Sequence, residues 1–195
     1  MSMTHRVSLP AVLAAACMGI QSHAAIISYQ TTLSGLNESP PNASPGTGLA
    51  TLDYDNVLHS YTMSVTFTGL LGTTTASHTH AATAAPGTGT AGVATQTPYF
   101  PGFPIGVTSG SYTNTFDMTL ASSWNSAFIT ANGGTPAGAE AAFVAALNAG
   151  KAYLNIHSTV VPGGEIRGFW QVVPAPTPIA PLGLAGLAVA RRRRA

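Results

Sequence analysis

Charge is scarce in this sequence. Asp, Glu, Lys and Arg make up 7 % of its 195 residues, against roughly a quarter in an ordinary soluble domain. Disorder driven by high net charge is thereby excluded. Away from the chain ends the only basic residues are Lys151 and Arg167, set against the six acids Glu38, Asp53, Asp55, Asp117, Glu140 and Glu165, a net charge of −4. A body of that sign has no basic face for phosphates, so nucleic acid is excluded as a partner. Cysteine is nearly absent too. Cys17 stands alone, so no disulfide forms within the chain. There is no Gly-x-Ser-x-Gly elbow and no phosphate-binding loop; the Gly/Thr-rich stretch around Thr88 and Gly89 lacks the strand–loop–helix setting such a loop needs. No apolar run reaches the ~20 residues that span a bilayer as a helix.

What the sequence does have, at its two ends, is address-like segments. Residues 1–24 predict a signal peptide: Arg6 gives the positive start, Leu9–Ile20 the apolar middle, and Ser22-His23-Ala24 a small-x-small cleavage site. Cleavage after Ala24 removes Cys17 and leaves a mature chain beginning at Ala25, with no thiolate nucleophile or ligand. At the other end, Val173-Pro174-Ala175-Pro176-Thr177-Pro178 precedes the apolar run Ile179–Ala190 and then Arg191–Arg194. This order resembles the PEP-CTERM sorting signal of Gram-negative bacteria that make extracellular polysaccharide. Ala175 stands where that signal has its glutamate, and the run of 12 residues would be about 18 Å long as a helix against a hydrocarbon core of about 30 Å. The resemblance implies an exosortase-type sorting machinery as partner. It also implies a secreted or outer-surface address, with transient inner-membrane anchoring through 179–190. Extracellular polysaccharide or other surface components are the expected surroundings.

The body, residues 25–172, alternates. Tyr61, Met63, Val65 and Phe67 share one parity and Thr62, Ser64, Thr66 and Thr68 the other, the pattern of a half-buried strand. Ala50, Leu52 and Tyr54 repeat it, as do Tyr112, Phe116, Met118 and Leu120. Further strands are expected at 26–33, 77–82, 152–157 and 165–173. Short strands separated by Gly/Pro turns predict an all-β domain, an antiparallel β-sandwich or Greek-key barrel of about seven or more strands. One short helix is expected, capped by Thr135, with Pro136 in its first turn, Gly150 past its end and Phe143, Val144 and Leu147 as its apolar stripe. A shorter helical turn starts near Ser122, with Trp124 and Phe128 facing inward. The prolines of Pro98-Tyr99-Phe100-Pro101-Gly102-Phe103-Pro104 exclude a central strand. The segment reads as an exposed aromatic loop, with folding onto the core as the alternative.

Several segments carry a family resemblance. Leu33-Ser34-Gly35-Leu36-Asn37-Glu38-Ser39-Pro40-Pro41, Gly48-Leu49-Ala50-Thr51-Leu52 and Ala76-Ser77-His78-Thr79-His80 come in that order. Gly150-Lys151-Ala152-Tyr153-Leu154-Asn155-Ile156-His157-Ser158 and Pro162-Gly163-Gly164-Glu165-Ile166-Arg167-Gly168 close the body. Together they resemble the CHRD (chordin-type) domain over roughly residues 26–172. The resemblance implies a β-rich extracellular module and supplies no reaction.

His78 and His80 stand two apart on an expected strand, so both side chains leave it on one face, a spacing that suits two imidazoles on one metal. If 152–157 and 165–173 form a hairpin with His157 opposite Glu165, Asn155 falls opposite Arg167 and Tyr153 opposite Phe169. Two readings follow. In one, His78, His80 and His157 hold a metal, Cu or Zn, with Glu165 as a fourth ligand or orienting a histidine; release is then expected as pH falls through about 6.5, where free imidazole protonates. In the other, Asn155, Glu165 and Arg167 form a buried network that fixes register, with Glu165 and Arg167 paired. His59 is taken as incidental. His-x-His plus a distant His is also similar to the copper half of Cu/Zn superoxide dismutase, whose zinc loop, bridging histidine and disulfide have no counterpart here. The expected function is that of an exported, non-enzymatic binding or structural module. A metal-binding, redox-capable sandwich is the alternative.

Overall fold

A computed structural model describes residues 26–174. The signal segment with Cys17, and the tail from Ala175 onward, lie outside the described residues. Within them the alternation is realised strand by strand. On β3 (Ser60–Thr68), Tyr61, Met63, Val65 and Phe67 are buried. The β2 strand (Thr47–Asp55) buries Ala50, Leu52 and Tyr54, and β1 (Ile26–Ser34) buries Tyr29, Thr31 and Leu33. Register places Leu52 between Tyr29 and Met63, and Val65 between Ala50 and Tyr112 of β5 (Gly110–Asp117). The polar parity makes cross-strand hydroxyl pairs instead, Thr62 with Thr115 at 2.8 Å and Ser64 with Thr113 at 3.0 Å.

Four more strands complete the sheet: β4 (Thr74–His80), β6 (Tyr153–Ser158), β7 (Ile166–Phe169) and β8 (Gln171–Val172). All eight are antiparallel, in the order β4-β6-β7-β1-β2-β3-β5 with β8 beside β1, and the sheet curls into a half-barrel. The all-β class is thus the one the alternation implies. The strand expected over 165–173 is broken at Trp170, which is fully buried and donates its backbone N–H to Ala152 O.

Helix α1 (Ser126–Ala131) and helix α2 (Pro136–Asn148) sit in the connection from β5 to β6. The Thr135 side chain accepts from Gly138 N, Pro136 opens α2, and Gly150 takes the left-handed φ of +64° past its end, the expected caps. Phe143 of α2 meets Tyr61 at 6.0 Å and Trp124 at 5.5 Å, ring centre to ring centre, so the helix closes the core over the sheet. Leu120 does not continue the buried parity of β5; the strand ends at Asp117 and Leu120 is exposed.

The aromatic loop takes the second of its two expected positions, folded onto the core. Phe100 and Phe103 are buried and only Tyr99 stays partly outside. Ser77 N donates to Pro98 O and Phe100 N to Ser77 O, so the segment lies along the free edge of β4. Burying two large rings and covering an open edge both favour the folded-in position.

Candidate metal centre

Strands β4 and β6 pair with Ala76 opposite His157, His78 opposite Asn155 and His80 opposite Tyr153. Ser77 and Thr79 turn into the core. His78 and His80 therefore stand on the other face, beside Asn155 and His157 of β6. The three imidazoles meet there. Ring centres are 4.7 Å apart for His78 and His80, and 4.8 Å for His78 and His157. One nitrogen of each ring lies within 4.8 Å of a nitrogen on both others.

The outer nitrogens fix the inner ones. His78 Nδ1 is 3.1 Å from Pro98 O, His80 Nδ1 2.7 Å from Ala91 O, and His157 Nδ1 2.8 Å from Pro162 O. A carbonyl oxygen only accepts, so each Nδ1 carries the proton. A neutral ring then presents a bare lone pair at Nε2. His78 Nε2 and His157 Nε2 face each other at 3.1 Å, and His80 Nε2 is buried with no hydrogen-bond partner. The rings are held neutral: burial, first, and the neighbouring His80 push His78 down to about 4. Burial, first, and the nearby His157 and Arg167 push His80 down to about 4, and burial lowers His157. Bonds of about 2.0–2.1 Å to one tetrahedral ion put ligand nitrogens roughly 3.3–3.5 Å apart. The His78–His157 pair already stands near that spacing, and His80 must close toward them.

The face continues past the histidines. Tyr153 stacks on His80 at 4.6 Å with 8° between the planes, and the Arg167 guanidinium lies 4.7 Å from the Tyr153 ring centre. The hairpin register is the expected one, Tyr153 opposite Phe169 and Asn155 opposite Arg167. Glu165 is not brought to the histidines. Its carboxylate accepts from Ser44 Oγ at 2.6 Å, from Ser158 Oγ, and from the N–H groups of Leu71 and Gly72, all away from the imidazoles. Nor does it pair with Arg167. The carboxylate beside Arg167 is Glu38, 3.7 Å from Nε, while Arg167 Nε donates to Asn37 O and Nη1 to Gly89 O. The expected Glu165–Arg167 pair is therefore two separate networks. The reason is local: the turn before Glu165 sends its carboxylate to the Ser158 side, opposite to His157. His59 is not incidental either; its Nδ1 contacts Glu140 at 2.9 Å, and Tyr54 donates to the same carboxylate at 2.7 Å.

Sequence reasoning missed Glu38 and the three carbonyls of Ala91, Pro98 and Pro162. Glu38 lies 129 residues before Arg167, and backbone acceptors leave no residue-type signal. Only the Pro162-Gly163-Gly164 turn, directly after β6, marked a place where backbone folds back on His157.

The fold is an all-β half-barrel whose first two neighbouring strands carry a histidine-lined face. The CHRD domain family matches residues 29–170, and the chain belongs to it. No curated protein matches the chain, and no solved structure does. Membership supports a binding or structural module.

Proposed function

We propose that this protein is an exported binding module whose ligand is a divalent transition ion, Cu²⁺ or Zn²⁺, held by His78, His80 and His157. One observation carries the reading: three Nδ1–H···O=C bonds leave three Nε2 lone pairs bare in one cluster of imidazoles, and the one on His80 is buried without a partner. A buried polar atom left bare costs about 1–3 kcal/mol. Backbone carbonyls that fix the tautomer are what metal-ligating histidines ordinarily have behind them. A tricarbonyl-backed set of neutral imidazoles suits Zn²⁺ and Cu²⁺ and disfavours Ca²⁺ and Mg²⁺, which take oxygen.

Export rests on residues 1–24, and handling by an exosortase-type machinery on the Pro-rich break, apolar run and terminal arginines of 173–195. Extracellular polysaccharide and surface components are the surroundings this address supports. Among the described residues no helix is long and apolar enough to cross a membrane.

The test is calorimetric titration of the purified mature chain with Zn²⁺ and Cu²⁺. One ion per chain is expected for wild type and for His59→Ala, and none for His80→Ala. Equal binding by all three sinks the metal reading. Mass spectrometry of secreted protein checks the address: an N-terminus at Ala25 is expected, and an intact Met1 in that fraction contradicts it.

A further inference from the structure

The metal reading fixes three ligands and leaves a question of charge. Every acid in the sequence lies among the described residues, and none belongs to the histidine cluster. Glu38 faces Arg167, Asp53 accepts from Ser28 Oγ, and Asp55 accepts from the N–H groups of Val57 and Leu58. Asp117 accepts from Thr119, Glu140 from Tyr54 and His59, and Glu165 from Ser44, Ser158, Leu71 and Gly72. The one cysteine, Cys17, belongs to the segment expected to be removed. An ion at the triad would therefore be held by three neutral nitrogens and keep its full double charge.

The neighbourhood adds to that charge. Arg167, one of two basic residues in a body with six acids, approaches the Tyr153 ring that stacks on His80. A body of net negative charge thus carries a locally positive centre. Three-ligand sites commonly take a fourth, exogenous ligand. In partly buried surroundings, where the effective dielectric is low, an uncompensated dication attracts an anion far more strongly than in water. His78 and the Nε2 of His80 are buried and His157 is partly buried, so the open position is enclosed. An enclosed position suits a small anion rather than a side chain or an organic acid.

Resting on the metal reading, we propose that the loaded His78–His80–His157 centre is a receptor for one small inorganic anion at its open position.

The experiment uses the mature chain loaded with one equivalent of Cu²⁺, its copper content measured in the same sample, and titrated with sodium azide. The expected result is a new azide-to-copper charge-transfer absorption that saturates at one azide per copper, is displaced by cyanide, and leaves copper on the protein after gel filtration. A copper-loaded protein whose spectrum azide does not change overturns the anion site and leaves the metal site standing. So does azide that acts only by stripping copper from the chain. A chain that takes up no copper overturns the metal reading, and the anion site with it; the copper content separates the cases.

Discussion

A divalent ion and a proton compete for the same imidazole lone pair, and burial decides the contest at His78 and His80. Their folded values of about 4 lie below the ordinary 6.5 or so of a free histidine. Between those two pH values the unfolded chain binds protons that the folded chain does not. Stability of the ion-free protein is therefore fully present above about 6.5 and is lost as pH falls toward 4, at up to about 1.4 kcal/mol per pH unit for each histidine. Glu38 works against this. Burial, opposed by Arg167, holds its carboxyl up at about 7 from an ordinary 4.5, so it keeps a proton there that the unfolded chain has released. Two histidines outweigh one carboxyl, and a net loss is expected in urea denaturation with chelator at pH 7.5, 6 and 5. Flat stability across that series contradicts buried, neutral rings. The same displacement moves ion release below the 6.5 expected from sequence; an ion lost already at pH 6.5 would show rings of ordinary acidity. Glu165 gives the second test at this scale. Burial alone would push its carboxyl up, but the Ser158 and Ser44 side chains and two backbone N–H groups together outweigh it and hold the carboxyl below the usual range. Glu165→Gln is expected to lower stability by about 1–3 kcal/mol and to leave ion affinity within a factor of two. A ten-fold loss of affinity in a folded variant would restore Glu165 as a ligand.

Strands and their faces were legible where a local rule suffices. Parity alone put His78 and His80 on one face, and the short Pro/Gly connection fixed Asn155 opposite Arg167. The pairing of β4 with β6 was not legible, because more than seventy residues separate them and the choice of neighbour belongs to the folded core. The Pro98–Pro104 segment shows the same limit. Prolines excluded a ladder strand correctly, yet they carry no information on whether Phe100 and Phe103 are inside. Packing decided that, since Phe100 stands 5.6 Å from Phe116 and Phe103 5.7 Å from Phe67, ring centre to ring centre. Phe100→Ala is therefore expected to cost about 3–5 kcal/mol, as truncation of a buried ring does. Tyr99→Ala, at a partly exposed ring, is expected to cost under about 1 kcal/mol. Denaturant unfolding of the two variants checks this, and near-equal losses would return the segment to the surface. Phe100→Ala also bears on the site, because the same segment supplies the Pro98 carbonyl to His78; weaker ion binding is expected alongside the lost stability.

Across the whole molecule, the triad ties the strand that begins the sheet order to the rest. Among the described residues the β4 strand has β6 as its only ladder partner, and its other edge is met by isolated bridges at Ser77 and His80. An ion joining His78 and His80 of β4 to His157 of β6 adds a cross-link at one edge of the sheet, with Ala91, Pro98 and Pro162 drawn in through the Nδ1 bonds. Binding to the folded state stabilises it by mass action, about 2.7 kcal/mol at a free ion concentration a hundred times Kd, less whatever the unfolded chain's own histidines take up. For a domain of this size each kcal/mol moves Tm by roughly 2–4 °C, so saturating Zn²⁺ is expected to raise Tm by about 5–10 °C over the chelated protein. His80→Ala should show no such rise. The rise should be the same for residues 25–174 as for 25–195, because every proposed ligand and every carbonyl behind it lies before Val173, whose N–H donates to Ser28 O in the last ladder contact of the body. Thermal melts of the three proteins, each with Zn²⁺ and with chelator, carry the decision. A rise that survives His80→Ala places the stabilising ion elsewhere in the chain, and one that disappears on removing 175–195 makes the tail part of the centre.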